Sequence, residues 1–109
     1  MDSWDISALA VEPHHPQVLR TDKEARVIAL QLPAGEELQE HQTHERGYLF
    51  VVSGAVEVNG NGANHVAGPG FLAVFDPNER RTVRATEDAR LALVLGPWPG
   101  EGHPSAPRA

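Results

Sequence analysis

The stretch EHQTHERGYLFVVSG, residues 40–54, sets His41, His44 and Glu45 immediately ahead of an apolar run. Two imidazoles and a carboxylate form a donor set suited to non-haem iron, manganese or zinc, with water completing the shell. A single pocket imidazole, by contrast, suits general acid–base work near neutral pH. Spacing separates these possibilities. On a strand, side chains alternate between faces, so His41 and Glu45 share one face while His44, three residues from His41, takes the other. A one-residue bulge would bring His44 back. For His44 and Glu45 the plainer reading is a solvated turn, and for His41 a pocket histidine satisfied by hydrogen bonds. Tyr48, Phe50, Phe71 and Phe75 are candidates to line a cavity, although strand aromatics more often serve as plain core. His14-His15 lies between prolines, and adjacent residues on an extended chain diverge, so that pair reads as a surface loop; His65 and His103 also lie beside turns or prolines.

The elements that must position these groups are short and frequent. ARVIALQL (25–32) ends at Pro33-Ala34-Gly35, and YLFVV (48–52) ends at Ser53-Gly54. AVEV (55–58) runs into Asn59-Gly60-Asn61-Gly62, a hairpin signal because Asn-Gly supplies positive φ cheaply. FLAVF (71–75), TVRA (82–85) and RLALVL (90–95) complete the set. Such spacing predicts an all-β sandwich or barrel. GEELQEHQTHERG favours helix by propensity, yet Leu38 is its only large apolar residue, so it reads as a turn leading into a strand. The chain divides into an N-terminal segment over 1–24 that packs on or extends the barrel, the barrel itself over 25–95, and a Pro/Gly-rich tail over 96–109 that Trp98 anchors.

Composition narrows the partners. The 109 residues carry a formal net charge of −6, the reverse of what phosphate binding wants, so nucleic acid is not an expected partner. With no cysteine, thiolate ligands, disulfides and cysteine nucleophiles are excluded. No signal peptide is apparent at the N-terminus, and no segment approaches the roughly 20 apolar residues of a membrane span, so a cytoplasmic protein is the expectation.

Pro33-Ala34-Gly35, then His41, then a strand closing at Gly54 resemble the first motif of the cupin superfamily, and Gly70-FLAVF-Asp76-Pro77 resembles its second. The tail PWPGEGHP is similar to small single-domain bacterial cupins. The resemblance implies an antiparallel jelly-roll (cupin-type) β-barrel with a polar pocket in its mouth. Metal-holding cupins draw three histidines and a glutamate from these motifs. Aligned on them, the first histidine is His41, the second position holds Thr43, the glutamate position Gly47 and the last histidine position Arg81. The motif is degenerate. A permanently charged guanidinium cannot ligate a cation and repels one at close range.

The expected function is therefore a pocket for a small anionic or polar organic molecule, metal-free or weakly metal-binding, with isomerase or cyclase chemistry as its enzymatic form. His41 would transfer a proton or hydrogen-bond, while Arg81, Tyr48 and Phe50 would contact the ligand. The alternative is a metal-dependent enzyme, of the dioxygenase or epimerase kind, that holds iron, manganese, nickel or zinc on a displaced His41/His44/Glu45 site. A second alternative is a structural or sensor protein whose barrel is packed solid by Phe50, Phe71 and their neighbours. A homodimer is also expected, because ARVIALQL would offer exposed ladder groups for pairing.

Overall fold

In the computed structural model, residues 1–41, 45–60 and 62–97 are described, the side chains of 39–41 excepted. Among the described residues nine strands follow one another: β1 (Gln17–Thr21), β2 (Arg26–Leu32), β3 (Glu37–His41), β4 (Arg46–Ser53), β5 (Val56–Gly60), β6 (Ala63–Ala67), β7 (Leu72–Phe75), β8 (Arg81–Ala85) and β9 (Ala89–Gly96). They form two antiparallel sheets, a five-stranded one ordered β1-β2-β9-β4-β7 and a four-stranded one ordered β3-β8-β5-β6. This is a jelly roll. The sheets face one another without a continuous ladder between them, so two seams run along the molecule, one beside β6 and β7 and one beside β1 and β3. No helix long and apolar enough to cross a membrane occurs among the described residues.

Alternation explains the core. Leu49 and Val51 of β4, Leu91, Leu93 and Leu95 of β9, Val56 and Val58 of β5, and Val83 and Ala85 of β8 are buried between the sheets. The hydrophobic cluster is aliphatic except for Phe75, which is buried, and Phe71, which is partly buried against it. Phe50 does not fill the barrel: its side chain is 45% exposed. Every second residue of β4 faces outward, and Phe50 falls on that parity.

Turn chemistry fixes the registers. Gly60 pairs with Ala63, leaving two residues for the β5–β6 connection, and Gly62 takes φ +81, as the Asn-Gly signal demands. At Gly54 (φ +80) an added Cβ would lie 2.0 Å from the Asp88 carbonyl oxygen and 2.7 Å from Ala89 Cα, so the β4–β5 turn must approach the β8–β9 loop bare. The segment before β1 lies against the five-stranded sheet. Arg90 donates from Nη1 to the Ile6 and Leu9 carbonyls and from Nε to Gln31 Oε1, each at 2.7 Å.

Three strands escape the sequence pattern or differ from it. β1 and β6 are mostly exposed and polar, so no apolar alternation marks them. β3 forms where helix propensity and polarity compete, held by pairing with β8. The pairing expectation for ARVIALQL also needs correction. β2 lies inside its sheet, bonded to β1 on one side and β9 on the other, so its ladder groups are already used.

Candidate functional site

The site lies where β3, β8, β5 and β7 end together. Arg81 opens β8, and its register sets it opposite Gly60 of β5 on one side and His41 of β3 on the other. The parity that buries Val83 and Ala85 also buries Arg81, which is only 7% exposed. Its guanidinium carbon lies 4.9 Å from the centroid of the Phe75 ring, a cation–π contact in a poorly solvated place. Burial pushes the Arg81 pKa down and the Glu79 charge opposes that shift; the group stays protonated, since arginine does not titrate in the physiological range.

Glu79 is half-buried in the β7–β8 turn, where its Oε1 accepts the Asp76 backbone N–H at 2.9 Å. Its other oxygen reaches the bare side of Gly60: a Cβ there would meet Glu79 Oε2 at 3.2 Å and Phe75 Cε1 at 3.6 Å. Two depressions have Gly60 and Ala63 in their walls. One, of about 390 Å³, is lined by Asn59, Asn64, Arg80, Arg81 and Thr82, of which Asn59, Asn64 and Thr82 stand on the outward parity of their strands. The other, of about 430 Å³, occupies the β6–β7 seam between Val58, His65, Phe71, Phe75 and Glu79. Phe50 takes no part in filling the interior, while Phe71 and Phe75 line the seam depression.

The structure gathers some of the expected residues and separates others. Arg81 is inside. Glu45 is buried, 4% exposed, two residues ahead of the inward Gly47. The backbone of His41 ends β3 directly across from Arg81, and the register shifts between Leu38 and His41; the stretch after His41, where a bulge would realign His44, lies outside the described residues. His44 and the His41 side chain lie outside the described residues, as do Thr43 and Trp98. Tyr48 and Phe50 require correction as ligand contacts of the barrel. They are 39% and 45% exposed on the outer face, because the alternation that puts Gly47, Leu49 and Val51 inside puts them outside. Tyr48 instead lines an outer cleft with Arg46, Pro77, Val94 and Pro97.

Sequence reasoning passed over His65 and Glu79. The hairpin signal could have found the first: a two-residue connection that pairs Gly60 with Ala63 also pairs Val58 with His65, so His65 takes the inward parity of Val58. Glu79 carries no pattern signal, since its position depends on how the β7–β8 turn folds back over Gly60.

The fit of a metal to these residues is poor. Among the described residues no three His, Asp or Glu side chains converge as a metal site. The buried guanidinium of Arg81 stands where the family's last histidine would stand, and Gly47 offers no donor at the glutamate position. Both are properties of the donor set itself.

Comparisons with known proteins agree with the architecture. The family model described as a cupin domain matches residues 28–96. No curated protein matches the chain significantly. Among solved structures, an RmlC-like cupin protein from Desulfovibrio desulfuricans superposes with TM-score 0.78 at 21% identity, over 89% of this chain and 97% of that one. A conserved protein of unknown function from Streptococcus pyogenes gives TM-score 0.76 at 16% identity, covering 91% and 90%. KdgF from Halomonas sp. gives 0.72 at 22%, covering 83% and 86%. At these identities the likeness shows the fold alone. The family model spans most of the barrel, from within β2 to the end of β9, and the chain belongs to the cupin superfamily.

Proposed function

We propose that this cupin binds a small organic anion, with Arg81 as the group that fixes its negative charge. One observation carries the reading. A permanently charged guanidinium is buried against Phe75 at the end of the barrel and lines a cavity of about 390 Å³. A guanidinium offers five N–H donors in a planar fork, so it can hold a ligand carboxylate while keeping another acceptor. Asn59 and Thr82 line the same depression from the outward parity of their strands.

His41, opposite Arg81 in the ladder, is the proton-transfer or hydrogen-bonding partner in this reading. An imidazole beside an anion clamp suits reactions that relocate a proton without redox change, so isomerisation or cyclisation is the class the pair fits best. Iron, manganese, nickel or zinc on His41, His44 and Glu45 is the competing reading, and the charge of Arg81 weighs against it. The test is ligand-observed NMR with a panel of small carboxylates against wild type, Arg81→Met and His41→Ala. Binding that survives in His41→Ala and is lost in a folded Arg81→Met supports the reading. Equal binding to wild type and Arg81→Met would overturn it.

A further inference from the structure

We propose that Glu79 sets which anions the Arg81 site accepts: its carboxylate is folded into the space beside Arg81 that Gly60 leaves bare, where it competes with an incoming negative charge. This rests on the anion site at Arg81 and names the residue that governs its selectivity. Register supplies the geometry. Arg81 of β8 stands opposite Gly60 of β5, and the two positions carry the inward parity of Val83 and Val58. Directly opposed residues of an antiparallel pair have neighbouring Cβ positions, about 4.5–5.5 Å apart. Position 60 has no side chain, and what fills its place comes from another element. A Cβ on Gly60 would meet Glu79 Oε2 at 3.2 Å and Phe75 Cε1 at 3.6 Å. The Glu79 carboxylate therefore takes the cross-strand place beside Arg81, next to the ring that carries the guanidinium.

The backbone of Gly60 does not have the positive φ that reserves a position for glycine, so its missing side chain matters for space and not for conformation. Glu79 is fixed by its own turn. Its Oε1 accepts the Asp76 N–H at 2.9 Å, and its own N–H donates to the Asp76 carbonyl at 3.0 Å. With one oxygen tied to the turn, the other is kept over Gly60. Arg81 feels that charge, which favours the protonated guanidinium against the cost of burial. Arg81 is thus a paired cation, and an incoming carboxylate meets a cation and an anion together. Donors are not the limit, because a guanidinium has five N–H groups. Charge is the limit, since ion–ion interactions are stronger at a poorly solvated place than in bulk water. A ligand with two carboxylates meets the repulsion of Glu79 twice, while the guanidinium can pair bidentately with only one.

The test is calorimetric titration of the full chain with propionate and succinate at fixed ionic strength, on wild type, Glu79→Gln and Glu79→Asp. Glutamine keeps the side-chain length and an oxygen for the Asp76 N–H, so the turn is preserved while the charge is lost. Aspartate keeps the charge but is one methylene shorter, which withdraws it from Gly60. Wild type should prefer propionate to succinate. We expect Glu79→Gln to bind propionate at least about fivefold more tightly than wild type, and succinate by a larger factor still, so that the preference narrows. Glu79→Asp should show part of both gains. A purely structural role would instead lower the affinity for both anions alike. If wild type binds propionate and a folded Glu79→Gln, verified by its melting curve, binds neither anion more tightly, the inference is overturned while the Arg81 site stands. Binding that appears only in Glu79→Gln supports the competition and overturns the anion reading for wild type. If no variant binds either anion, both readings fall. Should Glu79→Gln fail to fold, equal affinities in wild type and Glu79→Asp would overturn the inference.

Discussion

Arg81 and Phe75 are stacked, guanidinium carbon to ring centroid 4.9 Å, and both are buried at the end of the barrel. The contact joins β8 to β7, strands of opposite sheets, close to the mouth where the cavities open. The ring covers one face of the guanidinium, while the Glu79 charge favours its protonated form against the cost of burial.

Arg81→Met keeps the volume and removes the charge. Loss of charge-assisted hydrogen bonds worth about 1.5–3 kcal/mol predicts carboxylate affinity lower by about 10- to 150-fold. Isothermal titration, with circular dichroism to verify folding, checks this. Arg81→Lys should recover only part of the affinity, because an ammonium lacks the planar fork.

Gly54→Ala should be among the most damaging small substitutions in the chain. The left-handed conformation costs a non-glycine residue about 1–2 kcal/mol, and the added methyl would collide with backbone atoms of Asp88 and Ala89. A fall in melting temperature of about 5–15 °C is expected by calorimetry. Gly47→Ala serves as the contrast, since a Cβ there meets Leu95, Phe75 and Leu93 side chains at 3.6–4.0 Å, ordinary contact distances.

Elemental analysis should find wild type with less than stoichiometric iron, manganese, nickel or zinc after exposure to each ion. The variant Thr43→His/Gly47→Glu/Arg81→His, which restores the family's donors at the matching positions, should take up one ion per chain. Stoichiometric metal in wild type that disappears in His41→Ala would replace the anion site with the displaced metal site.

Phe50→Ser should leave carboxylate affinity within about twofold of wild type, because Phe50 lies on the outer face, away from Arg81. That same face presents Tyr48 beside Val74 and Phe50 beside Leu72, all exposed, an uncharged patch that can pair with a second copy about a two-fold axis. Light scattering should report a dimer for wild type and a shift toward monomer for Phe50→Ser. A monomeric wild type would remove the dimer from this account.

Acid stability should respond to Asp22. Hydrogen bonding to Arg20 (Nε to Oδ2, 2.9 Å) is the largest cause lowering its pKa, followed by the N–H groups of Ala25 and Glu24. A carboxylate lowered in the folded state adds stability above its unfolded pKa of about 3.9 and loses it as pH falls through the folded value. The loss of unfolding free energy below about pH 4 should therefore be shallower in Asp22→Asn than in wild type, as denaturant titrations across that range would show.

By itself the sequence determined the class of fold and most of its strands, and it pointed to Arg81 for the candidate site. Period-two patterning, glycine-proline punctuation and the Asn-Gly turn are local, so β2, β4, β5, β7, β8 and β9 are readable from neighbouring residues. Arg81 was readable because the spacing of a motif survives even where its residues change. Tertiary structure decided the rest. YLFVV is apolar on both parities, so nothing local says that Tyr48 and Phe50 face outward; that follows from packing β4 between β7 and β9 with Leu49 and Val51 against the opposite sheet. β1, β3 and β6 are polar edge strands, formed because a neighbour offers a ladder and not because their own residues demand one. The meeting of Glu79, Phe75 and Arg81 over Gly60 joins three strands and a turn from both sheets, a juxtaposition that exists only once the chain has folded across itself.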